Sequence, residues 1–393
     1  MHSNGHLDTV FMSFDFLQFD VAQQRAKSRF RQLTCNQISG RDKNIVVNDK
    51  HYINFSSNDY LGLNNHPDIK KALQEGVDKY GVCSSSSSLV TGYHYAHKAL
   101  EETICEWLNK DACLLFTSGF TANLALFEAL GKNTDTGFYL DKLSHASMID
   151  GAYNTNAKVK RFKHNDISHL HHLLRADNAP LHKLVASEGV FSMDGCQANV
   201  TELANLTKQN DAWLYLDDAH SIGVIGEEGQ GSNSIASIDI TMATMGKAFG
   251  TGGAFITCSK ELHEYLVNFS RHYIYSTAMS PALAWASNTS VELIKTEQWR
   301  RDKICELSAL FKQLLHDHIE VITTQSSIHA IVIGDEQKTI QVSDELKKHG
   351  FWVTPIRPPT VSTNSSRLRV TICADHKAID IKSLASIINE ALT

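Results

Sequence analysis

Two short strings near the middle of the chain hold the residues best suited to covalent chemistry. Trp213-Leu-Tyr-Leu-Asp217-Asp218-Ala-His220 reads as a buried strand that ends in two carboxylates and an imidazole. Further on, Thr244-Met-Gly246-Lys247-Ala-Phe-Gly250-Thr-Gly252-Gly253 sets a single lysine among glycines just past another strand end. Open sheets gather functional groups at such ends. Taken alone, Asp217 and Asp218 also suit a loop start, where aspartate caps the next element. Lys247 does not suit a solvated face, because glycines on both sides let the backbone close on a flat group that the amine can bond covalently. A pyridine-ring aldehyde needs such an amine and also an acid that keeps the ring nitrogen protonated, which makes the ring an electron sink. Lys247 and Asp217 meet both demands of pyridoxal 5'-phosphate (PLP). His220 is then near the phenolic oxygen, and Asp218 is structural.

The phosphate of that cofactor needs an anion site. Leu114-Leu-Phe-Thr-Ser118-Gly119-Phe120-Thr-Ala-Asn123 reads as a strand, a tight turn and a helix whose first amides are free to donate. By itself this is also what an ordinary strand-to-helix turn looks like; beside the lysine and the aspartate it becomes a phosphate site, with Gly119 and Phe120 donating through their backbones. Other motifs fail. Gly246-Lys247 is followed by Ala248 and lacks the earlier glycine of a nucleotide phosphate loop, and neither H-E-x-x-H nor G-x-S-x-G occurs. The group His169, His171 and His172 sits in a polar helical stretch and reads as solvated.

The elements that must position these residues alternate regularly. Strands are expected at Ala112–Phe116, Gly137–Leu140, Val159–Phe162, Lys183–Ser187, Trp213–Asp217, Ile238–Thr244 and Gly253–Thr257, most with helices between them, which predicts an α/β fold with a mainly parallel, doubly wound sheet. A long helical region from Pro281 to His316 leads to further strands at His329–Ile333, Phe351–Ile356 and Leu368–Cys373, read as a smaller α+β C-terminal domain. The expected division is an N-terminal arm and helix over 1–51, a large cofactor-binding domain over 52–290 and a small domain over 291–393. The apolar patch Phe11, Phe14, Phe16, Leu17 and Phe19 reads as a docking helix, and the residues before Met12 as loose.

Composition narrows the function classes. In 393 residues, 37 basic and 43 acidic side chains are intermixed with a net charge of −6, so no basic face calls for nucleic acid or an anionic membrane. No run is long and apolar enough to span a bilayer, and nothing resembles a signal peptide. The eight cysteines are scattered without a C-x-x-C pair; neither a disulfide framework nor a metal site is expected, and a reducing cytoplasm suits them.

From about Tyr52 onward the chain resembles the alpha-oxoamine synthases, PLP enzymes of fold type I. The strings that carry the resemblance are Asn54-Phe-Ser-Ser-Asn58-Asp-Tyr-Leu-Gly62, Asp141-Lys-Leu-Ser-His145-Ala-Ser, Glu188-Gly-Val-Phe-Ser192-Met-Asp194-Gly, Asp217-Asp-Ala-His220, the lysine segment, and Ile356-Arg-Pro-Pro-Thr360-Val with Arg367-Leu-Arg369. The resemblance implies that Lys247 is the Schiff-base lysine, Asp217 the ring-nitrogen partner and His145 the residue stacked on the ring. It places Ser192 and His220 at the phenolic oxygen and Gly119, Phe120 and Thr244 around the phosphate, with Thr277 reaching it from a second subunit of a homodimer. Asn58 and Arg369 would hold the substrate carboxylate, Thr360 would touch the acyl substrate, and Arg29 rather than Arg31 would be the N-terminal arginine that helps there. Glu188 and Asp194 would stand behind these groups or in turns.

The implied reaction joins an amino acid to an acyl thioester with loss of CO2. The Glu188 and Ile356 strings lean towards L-alanine and a pimeloyl thioester, carried on acyl carrier protein or coenzyme A, in biotin biosynthesis. A sister synthase acting on glycine or serine, or a non-catalytic partner subunit, are the rival readings. The chain departs from the family pattern at Ser84–Ser88, where glycines are usual, and after Thr360, where Val361-Ser-Thr-Asn-Ser-Ser lacks the usual proline and glycine.

Overall fold

The computed structural model describes Phe14 and residues 16–27, 29–39, 43–176, 180–322 and 324–393. Phe11 and the residues before Met12 lie outside them. Seven strands form the central sheet in the order Ala112–Phe116, Ala254–Cys258, Ile240–Thr244, Ala212–Asp217, His182–Glu188, Thr136–Asp141, Lys158–Phe162. Only Ala254–Cys258 runs antiparallel to its neighbours. Each strand expected in this sheet is present with its ends shifted by at most two residues, because short apolar runs bounded by turn residues define strands well; the run expected as one strand over Phe351–Ile356 is instead divided between two sheets, as Phe351–Trp352 and Thr354–Ile356.

These runs are continuous rather than alternating because helices cover both faces of the sheet. On one face Leu114, Phe116, Phe138, Leu140, Leu184 and Tyr215 pack against Ala122, Leu126 and Phe127 of the helix Gly119–Leu130. On the other, Tyr139, Val185, Leu214 and Leu216 pack with Leu170 and Leu203. Each such side chain, once fully buried, contributes about 1.5–3 kcal/mol. Parallel strands share one direction, so Asp141, Glu188, Asp217 and Thr244 all emerge at the same edge of the sheet.

The C-terminal part carries a sheet of Ile328–Gly334, Ser366–Thr371 and Thr354–Ile356. Its core, Leu307, Phe311, Val342, Leu346, Val370 and Leu384 among others, also takes in Phe55. Strands Asn44–Val47 and Lys50–Asn54 form a hairpin whose outer edge pairs with Phe351–Trp352, in parallel. The expected border between residues 51 and 52 therefore cuts a strand, and the N-terminal hairpin belongs structurally with the C-terminal part. The expected single helical region is two helices, Pro281–Thr296 and Gln298–Leu314, broken at Glu297. The change of partner falls at this break rather than at residue 290, since the first helix packs on Pro67–Tyr80 and the second on Ala378–Leu392.

The serine-rich departure is ordered. Ser84 Oγ donates to the carbonyl of Ala278 at 2.6 Å, and the amide of Ala278 donates to the carbonyl of Ser86 at 3.0 Å. Only Ser85 takes a left-handed conformation, with φ of 58°. Gly92 is required, because a Cβ there would sit 2.1 Å from the carbonyl oxygen of Ser86. The helix Phe16–Ala26 buries none of its residues, and Phe14, Phe16, Leu17 and Phe19 are exposed. Among the described residues, no helix is long and apolar enough to cross a membrane.

Candidate active site

A cleft of about 180 Å³ opens at the shared strand edge, lined by Gly119, Phe120, Asn123, His145, Ser147, Glu188, Asp217, Ala219, His220, Met242, Thr244 and Lys247. Asp217 closes its strand at the floor. One carboxylate oxygen accepts from Asn123 Nδ2 at 3.0 Å and the other from the amide of Ala219 at 3.1 Å. Asn123 spends its second N–H on Ser147 Oγ, at 2.8 Å, and its carbonyl accepts from the Tyr215 hydroxyl. This carboxylate is thus held in place from beneath. Asp218, next in sequence, turns the other way, and its two oxygens take the amide and hydroxyl of Ser232 at 2.7 and 2.6 Å. It pins a loop and does not line the cleft.

Lys247 Nζ lies 2.9 Å from His220 Nε2, and His220 Nδ1 lies 2.5 Å from the Tyr60 hydroxyl. Burial, reinforced by the charges of Lys247 and Arg369, holds His220 well below the usual imidazole range, so the ring is neutral. A neutral ring donates from one nitrogen only. The network assigns the direction: Lys247 donates to Nε2, Nδ1–H donates to Tyr60, and Tyr60 donates to Asn58 Oδ1 at 3.2 Å. Arg369 Nη2 donates to the same Asn58 oxygen at 3.1 Å. A continuous chain of hydrogen bonds therefore joins the lysine to the arginine.

Burial pushes the Lys247 ammonium down to about 8, against the pull of Asp217 and Glu188. An unfolded lysine keeps its proton up to its ordinary value of 10.5. Between those values the unfolded chain binds more protons, so stability rises with pH there, and the burial penalty is fully present below about pH 8. In PLP-free protein, Lys247→Met is expected to raise unfolding stability by about 1–3 kcal/mol at neutral pH, with the gain shrinking towards pH 10. Urea denaturation at several pH values checks this; an equal gain at every pH would contradict it. Glu188 is buried, and that burial together with the Asp217 carboxylate holds its own carboxyl well above the usual range.

At the phosphate end, the helix Gly119–Leu130 starts with Ser118, whose Oγ accepts from the amide of Thr121. Its first turn leaves amides without intrahelical partners. A side chain at Gly119 would displace Thr244, since a Cβ would meet Thr244 Cγ2 at 2.5 Å. Thr244 Oγ1 is buried with no hydrogen-bond partner. A buried hydroxyl in that state is costly unless something else accepts or donates to it. The orphaned hydroxyl, the glycine cradle and the helix amides fit a phosphate, as Lys247 and Asp217 fit an aldehyde and a ring nitrogen.

The remaining expected residues are distributed as follows. His145 caps the helix Ala146–Tyr153 at the cleft mouth, its Nδ1 2.7 Å from Ser147 Oγ and its ring edge-on to exposed Phe120. The Ser192 carbonyl accepts from Arg369 Nε at 2.6 Å, and Arg369 Nη1 donates to Thr371 Oγ1 at 2.9 Å. Thr277 is exposed, outside the cleft, and bridges to Ser87. Near Thr360 the expected arginine is replaced by its neighbour. Arg29 is engaged by Glu336 at 2.9 Å, whereas Arg31 Nη2 donates to Thr360 Oγ1 at 3.0 Å. Tyr60, Asn123 and Ser147 were not anticipated. Asn123 could have been found, because it stands one turn after Gly119 on the same helix face.

Comparison with known proteins agrees with this geometry. Residues 50–388 match the family described as Aminotransferase class I and II. An 8-amino-7-oxononanoate synthase of Photobacterium profundum is 43% identical over 92% of this chain and 93% of that relative. The solved 8-amino-7-oxononanoate synthase of Francisella tularensis superposes with a TM-score of 0.75 at 28% identity, covering 86% of this chain and 97% of that one. A serine palmitoyltransferase from S. paucimobilis, solved with bound PLP, has a TM-score of 0.88 at 26% identity over 96% and 97%. Fold, cleft and relatives define a PLP-dependent enzyme of fold type I. The chain belongs to the aminotransferase class I and II family and, within it, to the 8-amino-7-oxononanoate synthases.

Proposed function

We propose that this chain condenses L-alanine with a pimeloyl thioester, on acyl carrier protein or coenzyme A, to give 8-amino-7-oxononanoate, CO2 and the free thiol, a step of biotin biosynthesis. The observation that carries this reading is a single lysine, its proton affinity lowered by burial, lining the same cleft as a buried, immobilised aspartate. PLP, when bound, supplies an electron sink for a carbanion at Cα of the amino acid.

Lys247 anchors the cofactor and then, as a neutral amine, takes the Cα proton. A new C–C bond forms between Cα and the thioester carbonyl while the C–S bond breaks and the thiolate leaves, taking up a proton from solvent to become the free thiol. The α-carboxylate departs as CO2, and a proton returns to Cα from Lys247. With PLP bound, Asp217 would keep the ring nitrogen charged, His145 would cover the ring, Ser192 and His220 would serve the phenolic oxygen, and Gly119, Phe120 and Thr244 would hold the phosphate.

Arg369 has five N–H donors, of which Ser192, Thr371 and Asn58 take three. The remaining pair, one on each terminal nitrogen, suits a carboxylate. Asn58 orients the guanidinium through Oδ1. Arg369→Lys keeps the charge but loses the fork, and is expected to raise KM for L-alanine about 10–100-fold with a smaller change in kcat. Steady-state kinetics at saturating thioester tests this; an unchanged KM would remove Arg369 from substrate binding. Thr360, with Arg31, serves the acyl substrate.

A homodimer is part of this reading. The exposed Phe14, Phe16, Leu17 and Phe19 offer an apolar face for a second copy, and Thr277, outside its own cleft, is available to the partner's phosphate. We also assign the enzyme to the cytoplasm, where its eight free thiols persist. The decisive experiment offers the PLP-loaded protein L-alanine, glycine or L-serine with pimeloyl, acetyl, succinyl and palmitoyl thioesters and identifies the ketone by mass. Turnover confined to alanine with the pimeloyl thioester is the expected result; preference for another pair would make it a sister synthase.

A further inference from the structure

Away from the cleft, three side chains capable of ligating a metal converge among the described residues. They are His164, Asp194 and Cys196, whose candidate ligand atoms all lie within 4.8 Å of one another. His164 follows the strand Lys158–Phe162, and the other two sit in the loop after His182–Glu188. Both segments are braced. His164 Nδ1 lies 3.0 Å from Asp141 Oδ1, and the amide of Asn165 donates to Asp141 Oδ2 at 2.9 Å. Asn165 Nδ2 donates to the carbonyl of Gln197 at 3.1 Å, tying the two segments together. Within the loop, Gly195 N donates to the carbonyl of Phe191 and Phe191 N to that of Cys196. Asp194 is buried and uses Oδ1 to accept from the amide of Cys196 at 3.0 Å, which leaves Oδ2 for another partner. The His164 ring stands edge-on to Phe191, its centroid 4.5 Å away.

We propose that His164, Asp194 and Cys196 bind a zinc-class divalent cation, with Asp141 orienting the histidine from behind. A thiolate, an imidazole and a carboxylate make the mixed sulfur, nitrogen and oxygen set that zinc and cobalt accept, and hard oxygen-seeking cations do not choose it. Ligand bonds of about 2.0–2.3 Å put tetrahedral ligands roughly 3.3–3.7 Å apart, so a spacing of up to 4.8 Å would close by about 1 Å on binding. A histidine that gives Nδ1–H to a buried carboxylate and offers Nε2 to a metal is a recurrent arrangement at zinc sites; His164 Nε2 now lies 3.4 Å from Asn165 Nδ2, a long contact that a metal would displace. Three protein ligands leave the fourth position to solvent. The carbonyl of Ser192, on the same loop, anchors Arg369, so metal occupancy would stiffen the mount of the proposed carboxylate-binding arginine.

The test does not depend on turnover. Full-length protein stripped with a chelator is titrated with Co2+, and the expected result is one equivalent bound with four-coordinate d–d bands to the red of any cofactor absorption. Cys196→Ser and His164→Gln should remove those bands and weaken Zn2+ binding, measured by competition with a chromophoric chelator, at least about tenfold. Cys35→Ser, at an exposed cysteine elsewhere, should change neither. Far-UV circular dichroism and melting temperature establish that each variant has folded. Absence of the bands, or their persistence in folded Cys196→Ser protein, would overturn the proposal.

Discussion

Lys247→Ala protein is expected to lose on the order of 10⁴-fold or more in kcat for the alanine–pimeloyl reaction, while still binding PLP. The magnitude combines the loss of a proton-transfer group, typically 10²–10⁴-fold, with the loss of the covalent anchor. The remaining contacts do not involve the amine. Asp217 is held by Asn123 and Ala219, and Gly119 and Thr244 frame the phosphate end. Lys247→Arg should be as inactive as alanine, because a guanidinium keeps its proton at any working pH and cannot act as a base. PLP binding by equilibrium dialysis, alongside single-turnover assays, separates the two losses. An arginine variant that retained most of the activity would show that Lys247 supplies charge and not a base.

Asp217→Asn is expected to cost roughly 10²–10³-fold in kcat with little loss of fold. Asparagine has the same size and can still accept from the Ala219 amide, so the cleft keeps its outline, although the new amide nitrogen gives up the hydrogen bond from Asn123 Nδ2. It cannot hold a proton on the ring nitrogen by charge, and without that proton the ring withdraws electrons poorly. The informative control is Asp218→Asn. Asp218 is fully buried and spends both oxygens on Ser232, so its replacement should cost about 1–3 kcal/mol of stability and leave kcat per folded molecule near the parent value. If the two variants lost activity equally, the assignment of Asp217 to the ring nitrogen would fail.

These two neighbours illustrate what could be read from the chain alone. The order of strands and helices, the parallel sheet and the chemistry of Lys247, Asp217 and the Ser118-Gly119 turn are local properties. An apolar run bounded by turn residues, a lysine flanked by glycines, or a carboxylate at a strand end is written in consecutive residues. That Asp217 points into the cleft and Asp218 away from it could be argued from strand alternation.

What depends on distant pairing was decided by the tertiary structure. The N-terminal hairpin joined the C-terminal part because its free edge found Phe351–Trp352, some three hundred residues away. Thr360 acquired Arg31 and not Arg29 because Glu336 competes for the latter. The chain of hydrogen bonds Lys247–His220–Tyr60–Asn58–Arg369 draws on widely separated segments, and none of those distances is encoded by spacing in the sequence. His164, Asp194 and Cys196 stand together because the loops after Lys158–Phe162 and His182–Glu188 meet over the end of Thr136–Asp141, the strand between them. The physical reason is common to all four: local sequence selects backbone conformation, whereas packing and sheet order select which side chains from remote segments share a desolvated space, and in that space hydrogen bonds, proton affinities and ligand sets are determined.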